Sequence, residues 1–445
     1  MRVIIVGAGE VGSNIAASLA ESHDVIVIDV DPETVEELTY SSDILAIEGD
    51  GTSLETLEDA GLGEADMLIA STDDDETNIL SCGTAKTVGD IFTIARVRNA
   101  NFLATWTRSE GAFGVDFMVS TNLLTANDIV RVVGLPAAVD VDPFAGGIVQ
   151  MAEFEVAADS EIAGRTVEEV DTFEALTFAA LVQNGDVAIA RGQTPIEAGN
   201  KAIVIGSPES VQAFSRTVAP AKTPDEARDI VIVGGSDIGY HTAKLLEERG
   251  LQSRLIEQDA ERGRQLAEAL PGTIVMKHDA TDVEFLVGEH IDRADAVIAV
   301  ADSDEKNLLV SLLAKSLGVR RTVAVIEEGQ YANLFETVGI DVAINPREAT
   351  AEEIVRFTQE GQIENLSLIE GRQAEVLEIE VDEASVLTGR PIRECVGELP
   401  SEVVIGAITR NQEFVVPRGD TVIEPGDHVV LFVSADALSA VMSVV

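Results

Sequence analysis

The chain has 445 residues, with 79 acidic against 30 basic side chains for a net charge of −49, and 46% of its residues are apolar. That apolar share builds cores and excludes wholesale disorder, while the charge excludes a nucleic-acid partner, which needs a basic face. The only cysteines, Cys82 and Cys395, exclude a disulfide scaffold or thiolate zinc site, and no apolar run of about 18 or more residues marks a membrane span.

The first residues, MRVIIVGAG, already read as a strand and a glycine loop, which leaves no room for a signal peptide and points to the cytoplasm. Next, the runs VIIV, VIVID, ILAIE, MLIAS, FTIARV and FMVS alternate with helical patterns. Near-continuous Val/Ile strands joined by helices predict a parallel sheet covered on both faces. The predicted fold class is therefore α/β, with a Rossmann-like domain over residues 1–120 and a connecting helix over 121–150. Residues 151–218 show apolar/polar alternation (EFEVAAD at 153–159) and a hairpin-like turn (QNGD at 183–186). They predict a small β-rich α+β lobe with one open face. APAKTPDEAR (219–228) reads as a linker. The pattern then restarts, with a second Rossmann-like domain (229–348), a connecting helix (349–368) and a second α+β lobe (369–445). That lobe has its alternation at VLEIEVDE (376–383) and a hairpin-like turn at PRGD (417–420).

The two halves align at a spacing of 225 to 229 residues: VIIVGAGEVG (3–12) with IVIVGGSDIG (230–239), and EADMLIASTDDDETNIL (64–80) with RADAVIAVADSDEKNLL (293–309). SEIAGRTVEEV (160–170) likewise matches SVLTGRPIREC (385–395). Blocks in the same order along the whole length mean duplication.

The acids are spread over every segment, and only seven of the bases are lysines. Such a chain repels itself in dilute buffer, whereas in molar salt the Debye length falls to about 3 Å. The composition thus predicts a salt-rich cytoplasm of the halophilic-archaeal type. Dialysis from molar KCl into low salt is expected to unfold or dissociate the protein; an unchanged unfolding temperature there would overturn this reading.

The sharpest local signal is G-x-G-x-x-G at Gly7, Gly9 and Gly12, directly after a strand and before a helix, with Asp29 closing the next strand. In this context the loop Gly7-Ala8-Gly9-Glu10-Val11-Gly12 predicts a pyrophosphate seat at the helix N-terminus, with Asp29 on ribose hydroxyls. The second half carries Gly234-Gly235-Ser236-Asp237-Ile238 and Glu257 in the same places, with the middle glycine lost and Gly235 keeping the loop small. It either holds a ligand weakly or serves only packing. Asp74 to Glu76 suit helix capping, while Thr72 and Asp73, at the strand's C-terminal edge, are placed to touch a ligand. Arg96 and Arg98 end the fifth strand on that edge, as phosphate ligands or as surface ion pairs; their counterparts are Val325 and Glu327. Unequal binding by the two halves follows. Asp50 in EGDGT, like Asp279 in KHDAT, either faces the adenosine end or caps the next helix.

Little here suggests catalysis. The five histidines form no pair at catalytic or metal spacing, and both cysteines sit among apolar residues as small core side chains. The expected protein is not an enzyme and holds no metal.

GAGEVG, GDGT, the D-E-T-N helix start and ARVR, followed by a β-rich lobe and then duplicated, together resemble the TrkA family. The resemblance covers the whole chain. It implies two RCK modules, each a Rossmann (RCK-N) and an RCK-C lobe. It further implies a homo-oligomeric dimer or tetramer ring, held at the inner face of the membrane by a TrkH-type K⁺ channel subunit and regulating K⁺ uptake. The implied cofactor is NAD(H), or alternatively ATP/ADP at the same site. The family's dinucleotide residues carry over to Gly7 through Gly12, Asp29, Thr72, Asp73 and Arg96, and in the second half to Gly234 through Ile238 and Glu257. An NAD-dependent oxidoreductase and a regulator of a cation/proton antiporter are the alternatives.

Overall fold

The computed structural model describes residues 1–20, 23–41, 44–109, 112–135, 138–183, 185–218, 229–358, 363–369, 373–382, 385–400 and 402–442. The expected linker at 219–228 lies outside the described residues. The chain forms two units, residues 1–130 with 228–358 and residues 131–227 with 359–445.

The first unit holds two parallel sheets of six strands each. In the first the spatial order is Leu45–Glu48, Asp24–Asp29, Arg2–Val6, Met67–Ala70, Phe92–Val97 and Phe117–Ser120. The six apolar runs of the sequence are these six strands, and their order is that of a doubly wound Rossmann sheet. Side chains of alternating parity feed two cores: Val3, Ile5, Val25, Val27, Ile69 and Ile94 on one face, Ile4, Val6, Ile26, Ile28, Leu68 and Ala95 on the other. Both faces are therefore apolar, as a sheet covered by helices on both sides requires. The second sheet repeats the order with Thr273–Lys277, Ser253–Glu257, Ile230–Val233, Ala296–Ala299, Thr322–Val325 and Val342–Ile344.

The duplication extends to individual polar contacts. The amide of buried Asn78 donates to the carbonyls of Thr72 and Arg96, both at 2.9 Å, and its oxygen accepts from Thr72 N at 2.8 Å. Asn307 makes the same three bonds with Ala301 and Val325. Lys86–Asp116 (2.7 Å) and Lys315–Asp341 (2.6 Å) are likewise twins.

Within this unit the second half also completes the first. Helix Pro346–Thr358 packs on helix Glu10–Ala20, adding Ala351, Ile354 and Val355 to the first sheet's core. Phe357 stacks on Phe117 at 3.9 Å and on Phe92 at 5.5 Å between ring centroids.

The second unit holds two antiparallel sheets of five strands. The open face expected for each lobe is corrected here. Phe144, Met151, Ile203 and Ile205 of one sheet share a core with Val376, Ala407, Val430 and Phe432 of the other. Alternation in sequence marks two-sidedness but does not say what covers the second face. The turn at PRGD is also corrected. Arg418–Thr421 is a local turn, whereas the tight hairpin joins Val403–Arg410 to Glu413–Val415 through Asn411 and Gln412 at φ 51° and 63°. Two successive left-handed residues match the twist of a two-residue hairpin, and Asn tolerates that conformation. On either side of QNGD, whose Asn184 lies outside the described residues, Leu176–Gln183 pairs antiparallel with Asp186–Ile189.

Among the described residues, no helix is long and apolar enough to cross a membrane.

Candidate functional site

The glycine loop leaves strand Arg2–Val6 and enters helix Glu10–Ala20 at the C-terminal edge of the first sheet. Its glycines have distinct reasons. Gly7 is left-handed (φ 98°) and abuts Thr72, and a Cβ on Gly12 would stand 1.9 Å from the Gly7 carbonyl oxygen. Gly9 differs, because nothing lies within 4 Å of where its Cβ would be. Protein packing does not demand glycine there, and the open space admits a group from outside. Ala8 donates its N–H to Asp29 Oδ2 at 2.6 Å, and Asp31 N donates to Oδ1 at 2.9 Å, so Asp29 is oriented by the loop it faces.

A cavity of about 780 Å³ opens on this loop. It is lined by Gly7, Gly9, Glu10, Val11, Asp29, Asp50, Thr72, Asp73 and Arg96, nine of the sequence-predicted residues. Ala8 and Gly12 build the loop beneath it. Arg98 instead faces a neighbouring cleft of about 650 Å³. Asp29, Asp31 and Asp50 make one end acidic; Arg96 stands at the other with Arg347, which sequence reasoning missed.

Arg96 is 3% exposed. Its Nε donates to Thr121 Oγ1 at 3.1 Å, and Nη1 reaches Asp73 Oδ1 at 3.2 Å and the Thr72 carbonyl at 3.3 Å. Arg98 grips the same Asp73 oxygen at 2.5 Å. Burial by itself would raise the Asp73 pKa, but Arg98 and Arg96 outweigh it and hold the carboxyl below its usual range. Burial and the neighbouring Arg98 both push the Arg96 pKa down. Arg98 is thus an ion-pair partner outside the cavity, while Arg96 is a buried cation at its wall. Asp74 caps helix Asp75–Ala85 by accepting from Thr77 N at 2.7 Å. Asp75 instead ties the helix to the fifth strand, accepting from Arg98 N and Asn99 N. The Asp50 carboxylate accepts both the hydroxyl and the N–H of Thr52, which lower its pKa in that order, so it braces its own turn while lining the cavity.

In the second half the loop is crowded. The corresponding cavity is about 180 Å³, lined by Gly234, Gly235, Ser236 and Glu257 but not by Asp237 or Ile238. Gly235 N donates to Glu257 Oε2 at 2.6 Å, the counterpart of the Ala8–Asp29 bond. A Cβ on Gly235 would meet Leu266 at 2.5 Å, so this glycine serves packing. Ser236, in the place of Gly9, caps its helix, with its hydroxyl accepting from Gly239 N and donating to the Val300 carbonyl. Arg262 lies across the loop, bonding the Gly235 carbonyl at 2.6 Å and Asp237 at 3.0 Å. Ile238 is buried, and Val325 and Glu327 supply no cation.

Arg347 sits in N-P-R-E at the start of a helix, 335 or more residues from the loop it serves. Nothing in the spacing marks it; a cation in a first helical turn, where the dipole disfavours it, is the one available signal. Cys82 and Cys395 are both fully buried, and burial pushes the Cys82 thiol pKa up. Among the described residues, no three His, Cys, Asp or Glu side chains are arranged to hold a metal ion.

Fold and loop together define a class: tandem Rossmann-like glycine-loop domains, each followed by a small antiparallel lobe. The TrkA-N domain matches residues 3–121 and 230–346, and the TrkA-C domain residues 151–219 and 376–445. A Trk system potassium uptake protein TrkA homolog of Archaeoglobus fulgidus is 38% identical over 441 residues, 99% of each chain. The chain belongs to the TrkA family of potassium uptake proteins. Among solved structures, the GsuK RCK domain superposes with a TM-score of 0.61 at 17% identity, covering all of this chain and 94% of that one. The GsuK channel bound to NAD gives 0.61 at 18% identity, covering all of this chain and 78% of the other. These likenesses speak for the RCK fold.

Proposed function

We propose that the protein is a cytoplasmic, nucleotide-sensing regulatory subunit of a K⁺ uptake system, acting on a TrkH-type membrane channel subunit as a homo-oligomeric ring and catalysing no reaction. Its working parts are the domains predicted from the sequence, with residues 1–120 as the principal sensor. The observation that carries the reading is the cavity of about 780 Å³ whose loop leaves Gly9 open where a phosphate would approach. A nucleotide fits this donor set. The helix N-terminus offers N–H groups to a pyrophosphate, Asp29 accepts from ribose hydroxyls, and Arg96 neutralises charge near Asp73. The bound NAD(H), or ATP/ADP in its place, supplies negative charge. The chain holds that charge differently in two ring states, and that difference in affinity biases the channel. The smaller cavity at Ser236, with Arg262 bonded to the loop's Gly235 carbonyl, supports the second half as the weaker binder.

Calorimetric titration of NAD⁺, NADH, ATP and ADP in molar KCl tests the site. At least one should bind without turnover, and Asp29→Ala should weaken it about tenfold or more. No binding by any of the four would overturn the sensor reading. K⁺ flux through a co-reconstituted TrkH-type partner that ignores every nucleotide would overturn the regulatory one.

A further inference from the structure

At the end of the first cavity that holds Arg96, the second half reaches in. Arg347 stands in the first turn of helix Pro346–Thr358, where the helix dipole repels a cation. Carboxylates hold it there: Nη1 meets Glu10 Oε2 at 2.8 Å and Nη2 meets Glu327 Oε2 at 3.5 Å. Asn345 stiffens the arrangement. Its amide donates to Glu10 Oε1 at 3.2 Å, and its oxygen accepts from Arg347 N at 2.8 Å. Glu10 in turn opens the glycine-loop helix, at the end where an anion is favoured by backbone N–H groups. A phosphate there meets an acidic side chain that, among the described residues, Arg347 alone pairs with directly.

We propose that Arg347, carried by the second half, is a phosphate-holding residue of the first-half cavity, and that Glu10 restrains it until a phosphate arrives. This rests on the nucleotide reading above and adds how occupancy is sensed. A guanidinium has five N–H donors, so it turns from the Glu10 carboxylate to a phosphate oxygen or bridges the two. Its helix is fixed to the first half through Ile354, Val355 and the Phe357 stack, so one phosphate is gripped by both halves together. The ligand class is a nucleotide carrying at least a diphosphate, read by charge at this end of the cavity.

The test titrates ADP and adenosine into the full chain in molar KCl, with Arg347→Gln and Glu10→Gln alongside. Arg347→Gln is expected to weaken ADP about tenfold or more and adenosine less than about twofold, since one charge-assisted bond to phosphate is lost. Glu10→Gln is expected to tighten ADP about threefold or more, because a competitor and a repulsive charge leave together. A purely packing role makes the opposite prediction, as breaking the pair would loosen the cavity. Arg347→Gln binding ADP as the parent does, or losing ADP and adenosine equally, would overturn the proposal, and so would Glu10→Gln weakening ADP. If Arg347→Gln fails to fold, the direction of the Glu10→Gln change decides. A parent chain that binds neither ADP nor NAD⁺ sinks the sensor reading itself, and this proposal with it.

Discussion

Gly9→Val is expected to lower nucleotide affinity about a hundredfold or more while leaving the unfolding temperature within about 2 °C of the parent. The added Cβ meets no atom within 4 Å apart from its chain neighbours, and Gly9 is not left-handed, so the branched side chain enters open space that the folded chain accepts. A ligand phosphate needs that space to reach the backbone N–H groups of the helix start. The neighbouring glycine behaves in the opposite way. A Cβ on Gly12 would sit 1.9 Å from the Gly7 carbonyl oxygen, so Gly12→Ala must shift backbone and should cost more than about 3 kcal/mol of stability. Calorimetry and thermal unfolding in molar KCl separate the two variants. A Gly9→Val chain that binds normally would remove this loop from the site, and a stable Gly12→Ala chain would refute the packing argument.

Asn78→Ala is expected to destabilise the first unit by about 3–5 kcal/mol, more than an ordinary substitution. The side chain is fully buried and closes both hydrogen-bonding ends on backbone: Thr72 N, the Thr72 carbonyl and the Arg96 carbonyl. Alanine leaves Thr72 N and the buried Arg96 carbonyl without that partner, while the Thr72 carbonyl keeps Arg96 Nη1 at 3.3 Å, and each lost partner costs about 1–3 kcal/mol. The same bonds hold Thr72 against Gly7 and set the strand end that carries Arg96, so nucleotide affinity should fall as well. Asn307→Ala should match the loss of stability, since its bonds are the twins of these, while leaving the first cavity's affinity unchanged. Denaturant unfolding measures both; a cost below about 1 kcal/mol for either would contradict the clamp.

Much of this was legible in the residues because local physics produces it. Six apolar runs are six strands because an apolar strand buried on both faces leaves a near-continuous Val/Ile run. The positions of Gly7, Gly9, Gly12 and Asp29 follow from chain geometry over 23 residues, a distance that one βαβ unit spans. What the spacing did not reveal was each residue's service. Asp50 braces its own turn, Arg98 pairs with Asp73 outside the cavity, and Gly235 makes room for Leu266. A carboxylate near a helix start looks the same in sequence whether it caps, pairs or binds.

The amino-acid order by itself determined the duplication, the parallel sheets, the glycine loop and the loss of its middle glycine in the second copy, since all of these rest on residues within one element or its neighbour. Only the tertiary structure decided that Arg347 enters the first cavity, that Phe357 stacks on Phe117, and that the two antiparallel sheets share a core. The physical reason is distance along the chain. Periodicity reports which face of an element is apolar or charged, whereas the partner that covers that face comes from hundreds of residues away and is chosen by packing.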